Sequence, residues 1–220
     1  MDFGRPLEAL IPGAPGRLLG ALARVEAELP VSTLAAVAGV GRTRASAVLK
    51  ELAELGVISR RQVGPTVLVR LERANAAGQL LARLGGLRVQ VIEEMRGLAR
   101  DIDPQPLSLT LFGSFVRGDG DAASDIDILA VRPAGGGERW AESLTGFSSR
   151  TQVLTGNRVQ ILDYDLSDLR RRYAARGDAA GARFWRSVAR DALTLAGADL
   201  QELMEADRGA WEQPAPRQQS

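Results

Sequence analysis

Two carboxylates, Asp125 and Asp127, follow a glycine-rich turn and open an apolar run from Ile126 to Val131. Successive strand side chains point to opposite faces, so a strand here sets both carboxylates on one face and turns Ile126 and Ile128 into a core. Two carboxylates side by side repel. A divalent cation between them removes that cost, and Mg²⁺ is typically held by one or two carboxylates plus substrate phosphates. Upstream, the apolar run Leu107–Phe112 ends in Gly113-Ser114. Gly113 lets a backbone approach a phosphate closely, and Ser114 adds a hydroxyl at an expected helix start, where amide groups favour anions. These residue types together point to a site for a metal and a triphosphate.

The elements that must position them follow from pattern. Leu107–Phe112 is expected as a strand, Ser114–Gly118 as about one helical turn, and Asp119-Gly120-Asp121 as a tight turn. Arg117 is the one basic group in this stretch and a candidate phosphate contact. Asp125–Val131 is a second strand. A helix is expected over 138–154, interrupted near Gly146, with Trp140 and Phe147 as core groups. Val159–Tyr164 is a third strand. Leu166–Ala175 and Ala182–Ala192 have helical patterns broken at Arg176-Gly177-Asp178, and residues 191–197 make a short closing segment. Leu200–Trp211 is expected as a short helix, and 213–220, with two prolines and no apolar anchor, as a disordered tail.

Gly113-Ser114, Gly118 and Ser124-Asp125-Ile126-Asp127 with its hydrophobic tail resemble the GS…G…SDxD signature of the DNA polymerase β-like nucleotidyltransferase superfamily. The likeness is greatest to the minimal nucleotidyltransferases and covers roughly residues 105–200. The resemblance implies catalytic and metal-binding roles for Asp125 and Asp127, with magnesium or manganese as cofactor. It implies nucleotide contacts from Gly113, Ser114, Arg117 and Ser124, and a nucleoside triphosphate as ligand. In an active member, an acceptor hydroxyl attacks the α-phosphorus and pyrophosphate leaves. Active members also place a third carboxylate on the third strand, where this chain has Gln160. Asp163 lies three residues on and faces the other way, and Asp165 suits a helix cap. An enzyme and a non-catalytic nucleotide sensor therefore both fit. Minimal nucleotidyltransferases often act as antitoxins, so a toxin partner is a third implication.

The N-terminal part has a different pattern. Residues 1–14 are expected as a loose arm with one short turn, Leu7–Ile11, that docks on another part of the chain. Leu18, Leu19, Leu22, Val25 and Leu29 predict a helix over 15–28. A short helix follows from Val31 with Ser32 as its cap, then a Gly39-Val40-Gly41 turn and a helix from Arg42 or Thr43 to Gly56. Two β runs flank Gly64-Pro65 as a hairpin. This order, in VSTLAAVAGVGRTRASAVLKELAELGVISRR, resembles the winged helix-turn-helix domains of bacterial transcription regulators. Such a domain reads duplex DNA with the N-terminal residues of its recognition helix. Here those are Arg42, Thr43, Arg44 and Ser46, and Arg60 and Arg61 open the hairpin where phosphates could be met. Residues 31–73 carry a local balance of +4, against +1 for the whole chain.

The expected organisation is a winged helix-turn-helix at 1–73, a helical connector at 74–104, a nucleotidyltransferase-like domain at 105–200, and a C-terminal helix and tail at 201–220. The fold class is α/β of the α+β kind, with a small mixed sheet flanked by helices. The connector carries an apolar stripe from Ala77 to Leu98, interrupted at Gly85-Gly86, that suits either a homodimer or the chain's own second domain. Cysteine and histidine are absent, which excludes thiolate zinc sites, thiol nucleophiles and histidine bases. No apolar run approaches the length of a bilayer span, and the start lacks a signal-peptide layout, so a cytoplasmic protein is expected. Of the 28 basic residues only Lys50 is a lysine, so arginine is the default cation and not each one is functional.

Overall fold

Leu109, Leu111, Ile128, Leu129, Ala130 and Val131 are all fully buried, so the strands that carry them lie at the centre of a sheet covered on both faces. The computed structural model describes residues 1–174 and 179–205. The chain divides into two units. One comprises 1–94, 117–125 and 153–158, and the other 95–116, 126–152 and the described residues from 159 on.

The first unit contains helices α1 (Pro6–Leu10) and α2 (Ala14–Ala23), strand β1 (Leu29–Pro30), helices α3 (Val31–Val37) and α4 (Arg42–Glu54), hairpin strands β2 (Ile58–Val63) and β3 (Thr66–Leu71), and helix α5 (Ala76–Gly85). The three strands form an antiparallel sheet in the order β1-β3-β2. Leu7, Leu18, Leu22, Leu34, Leu49 and Val69 form its core, with Leu81 and Leu84 packed against them. The expected sequence of helix, short helix, turn, helix and hairpin is present.

Four details differ from the sequence reading. The N-terminal arm is not loose, because Phe3 and Leu7 are buried and α1 packs on α2. Helix α2 stops at Ala23, and Leu29 pairs with Val69 in a sheet rather than extending the helix. Pro30 suits that edge position, since it has no N–H to give to a ladder. Pro30, not Ser32, occupies the N-cap of α3, and no side chain caps it. Residues 76–85 belong to the first core rather than to a bare connector. A Cβ on Gly85 would stand 2.6 Å from the Ala23 Cβ, so the glycine permits close approach of α5 to the end of α2.

Helix α6 (Leu87–Ala99) begins after a break at Gly86. The second unit contains strand β4 (Ser108–Phe112), the short helix α7 (Ser114–Arg117) as far as residue 116, β5 (Ile126–Arg132), α8 (Gly137–Thr155) as far as residue 152, β6 (Val159–Asp165), α9 (Leu166–Ala174), α10 (Ala179–Asp191), β7 (Leu193–Gly197) and α11 (Leu200–Glu205). The sheet order is β6-β5-β4-β7, with β5 and β6 parallel and the other pairs antiparallel. Phe112, Leu129, Val131, Leu169, Trp185 and Val188 pack together over one face.

Helix α8 runs unbroken through Gly146, contrary to the expected interruption. A glycine costs about 1 kcal/mol in a helix interior, and burial of Trp140, Leu144 and Phe147 on the same helix outweighs it. Asp165 caps α9 as expected, its Oδ1 accepting the Asp168 N–H at 2.7 Å. The expected break at 176–178, the end of the last helix and the tail lie outside the described residues.

Candidate functional site

Strand β4 delivers Gly113 beside Asp127, because Phe112 and Asp127 are register partners across the β4–β5 ladder. Gly113 then turns the chain with φ +80, a left-handed conformation that side chains rarely adopt. A Cβ there would fall 2.6 Å from Asp127 Oδ2. Glycine is thus required twice, for the turn and for the room beside the carboxylate. Asp127 is half-buried and shares a sheet face with Leu129 and Val131, at the end of that apolar layer. Ile126 and Ile128 are fully buried on the opposite face, as expected.

Gln160 is the register partner of Asp127 on the parallel side, so it stands next to that carboxylate on β6. Asp163 occupies the other face of β6, where it accepts Arg132 Nη1 at 3.1 Å and Trp140 Nε1 at 3.2 Å. Its negative charge is used to hold the sheet edge and the buried indole. Among the described residues no group of three or more carboxylates is placed to hold a metal ion.

The preceding segment, 117–125, belongs to the first unit. Ser124 is absorbed in a turn: its Oγ donates to Asp121 Oδ1 at 2.8 Å and accepts the Asp121 N–H at 2.9 Å. The serine hydroxyl, followed by the Ala123 N–H, holds the Asp121 carboxyl below its ordinary range. Arg117 gives its Nε to Asp119 Oδ2 at 2.9 Å. Helix α7 has only four residues. That is too short for an appreciable dipole, so the anion preference expected at Ser114 has little from the helix to draw on.

Asp125 has a partner that the motif did not suggest. Arg158 Nε donates to Asp125 Oδ1 at 2.9 Å and its Nη2 to Oδ2, a two-pronged pair. This hydrogen bonding holds the Asp125 carboxyl below its ordinary range. The signal for it lay in the topology: Ile126 and Val159 are in register, so the residues just before them meet. Next to it, Asn157 Nδ2 donates to the Ser124 carbonyl at 2.9 Å, and the N-terminal ammonium donates to Asn157 Oδ1 at 2.8 Å.

Arg42, Thr43, Arg44 and Ser46 are all exposed at the start of α4, and Arg60 is exposed on β2. Arg61 is exposed too, yet its Nη2 lies 2.5 Å from Glu28 Oε2, so that charge is already countered. Its hydrogen bond pulls the Glu28 carboxyl below its usual range. No helix among the described residues is long and apolar enough to cross a membrane.

Residues 70–173 match the family model of the nucleotidyltransferase domain. The span covers β3 from Arg70, all of α5 and α6, and the sheet strands β4 to β6. The small mixed sheet flanked by helices is consistent with that fold. A solved structure described as "Crystal structure of the toxin-antitoxin with AMP-PNP" is 20% identical over 50% of this chain and 77% of that chain, with a TM-score of 0.33. A likeness that loose carries no argument. No curated protein matches the chain at a significant level.

Proposed function

We propose that the chain binds a nucleoside triphosphate with magnesium through its nucleotidyltransferase span, and duplex DNA through residues 31–73. The observation that carries the first part is the cradle at Gly113, where the backbone stands against Asp127 with no room for a side chain. Gly113 and Ser114 would meet the phosphates, and Asp125 and Asp127 would share the ion. Two carboxylates plus phosphate oxygens fit the oxygen-rich shell that magnesium takes. Bound there, the ion would neutralise the phosphates.

The chain's own groups divide the work. Asp127 offers its carboxylate beside the glycine turn. Asp125 is paired with Arg158, so it reaches an ion only by exchanging that partner. Because Arg158 already offsets one of the two negative charges, the repulsion between the carboxylates is reduced before any ion binds.

Gln160 favours a second reading, a regulator that senses nucleotide without turning it over. It stands beside Asp127 where a third carboxylate would serve as base, and an amide cannot accept the proton of an attacking hydroxyl. For the DNA part, support comes from the exposed Arg42, Thr43, Arg44 and Ser46 on one helix start and from Arg60 on the hairpin. The order of helix, short helix, turn, helix and hairpin supports a winged-helix reading of this part.

One titration tests the nucleotide part. Labelled triphosphates with Mg²⁺ should bind the full chain, and Asp127→Ala should abolish the magnesium-dependent component while the circular dichroism spectrum is kept. Retained affinity in that variant would sink the assignment. Pyrophosphate release in the same samples separates a transferase from a sensor. Duplex DNA binding should weaken steeply with salt and further in Arg42→Ala/Arg44→Ala; absence of binding at low salt removes the DNA part.

A further inference from the structure

Residues 156–158 grip the pair Ser124-Asp125 at two points, all within the first unit. Gly156 turns the chain there with φ +70. Asn157 is buried and donates its Nδ2 to the Ser124 carbonyl at 2.9 Å, while its own N–H goes to Thr155 Oγ1 at 3.2 Å. Arg158 sets its guanidinium fork on Asp125, Nε on Oδ1 at 2.9 Å and Nη2 on Oδ2. The two grips differ in kind. Asn157 holds backbone from a buried position. Arg158 holds a carboxylate from a side chain that is 74% exposed. The turn therefore keeps its anchor without Arg158, whereas both oxygens of Asp125 are engaged by it.

An ion pair this exposed is weak and exchanges readily with another cation. A guanidinium and a divalent ion on one carboxylate repel, so Asp125 serves one of them at a time. The oxygen shell of magnesium includes substrate phosphates. A guanidinium released from Asp125 by such an ion then has a second oxyanion beside it, and its planar fork matches phosphate oxygens as it matches a carboxylate. A bare ion offers Arg158 no such replacement.

We propose that Arg158 couples the two ligands: it closes Asp125 to a bare divalent ion, and passes to the nucleotide phosphates when ion and nucleotide arrive together. The proposal rests on the magnesium-dependent nucleotide reading above and adds the linkage between its two ligands, each of which binds better with the other present.

Two titrations of the full chain, parent against Arg158→Gln, test it. The first uses Mn²⁺ alone, with the free ion counted by electron paramagnetic resonance. Arg158→Gln should bind the ion about two- to fivefold more tightly, because the competing pair is gone. The second uses the preformed manganese complex of a non-hydrolysable ATP analogue, followed by calorimetry. Here Arg158→Gln should bind about tenfold more weakly, because a charge-assisted phosphate contact is lost. Arg158→Lys keeps the charge without the fork and should fall between the two in this second titration. The opposite signs separate exchange from a structural role, since a disturbed turn would weaken both.

Failure of the parent to bind the manganese complex, or binding that Asp127→Ala leaves intact, would overturn the nucleotide reading and this proposal with it. Binding by the parent, combined with any pattern in Arg158→Gln other than a gain in the first titration and a loss in the second, would overturn the coupling and leave the nucleotide reading standing.

Discussion

At Gly113 a single hydrogen atom decides the geometry of a carboxylate. Gly113→Ala should cost at least about 1 kcal/mol from the left-handed backbone alone. It should also push the Asp127 side chain from its place, since 2.6 Å is well inside contact distance. Urea denaturation reads the first effect, and magnesium-dependent nucleotide binding reads the second. An alanine variant with unaltered stability would contradict the strain argument. The Arg158–Asp125 pair makes a separate prediction with a sign. Its hydrogen bonding lowers the folded-state pKa of Asp125, so its contribution is present above the ordinary carboxyl pKa and fades as pH falls through the lowered value, below about pH 4. Arg158→Ala should raise the Asp125 pKa towards the ordinary carboxyl value in an NMR titration. The stability difference between variant and parent should then shrink at acid pH. The arginine side chain is 74% exposed, so the pair contributes little to stability overall.

At the scale of elements, two of the helix caps carry testable weight. Asp165 closes the entry to α9 through the Asp168 N–H and the Ser167 hydroxyl. Asn75 does the same for α5, accepting from the N–H groups of Ala77 and Gly78. Alanine at either position should cost about 1 kcal/mol, measured by chemical denaturation. Ser32→Ala should cost far less, because the N-cap of α3 is Pro30 and not the serine. These caps also show what local pattern conveys. Asp165 was legible because a carboxylate before a polar helix start satisfies open amides whatever surrounds it. Ser32 is not the cap because the helix starts at Val31, directly after the strand Leu29–Pro30, and that strand exists only through its pairing with Val69 and Leu68.

Across the whole molecule, each unit has its own buried apolar cluster. Leu22 lies in the first and Leu129 in the second. Leu22→Ala and Leu129→Ala should each cost about 2–5 kcal/mol by transfer and cavity formation. Hydrogen exchange should place the first loss in α2 to α4 and the second in the sheet strands β4 to β6. Uniform loss of protection throughout the chain in either variant would contradict that placement. The near-neutral total charge hides a basic segment at 31–73, so salt dependence is the informative axis for any nucleic-acid titration.

Residue type and spacing were enough to place the central strands, Asp127 beside the glycine turn and the three-helix order before the hairpin. Each of these depends on period, turn chemistry or neighbouring residues, which are properties of a short stretch. The pairing of Arg158 with Asp125, the countering of Arg61 by Glu28 and the contact of the N-terminal ammonium with Asn157 were not accessible that way. They join residues 33, 33 and 156 positions apart. Charge pairs over such spans are chosen by strand register and helix packing, and an arginine-rich sequence offers many partners of equal local merit. Only the folded chain selects among them, because burial and register hold a few of those side chains within hydrogen-bonding distance and leave the others in water.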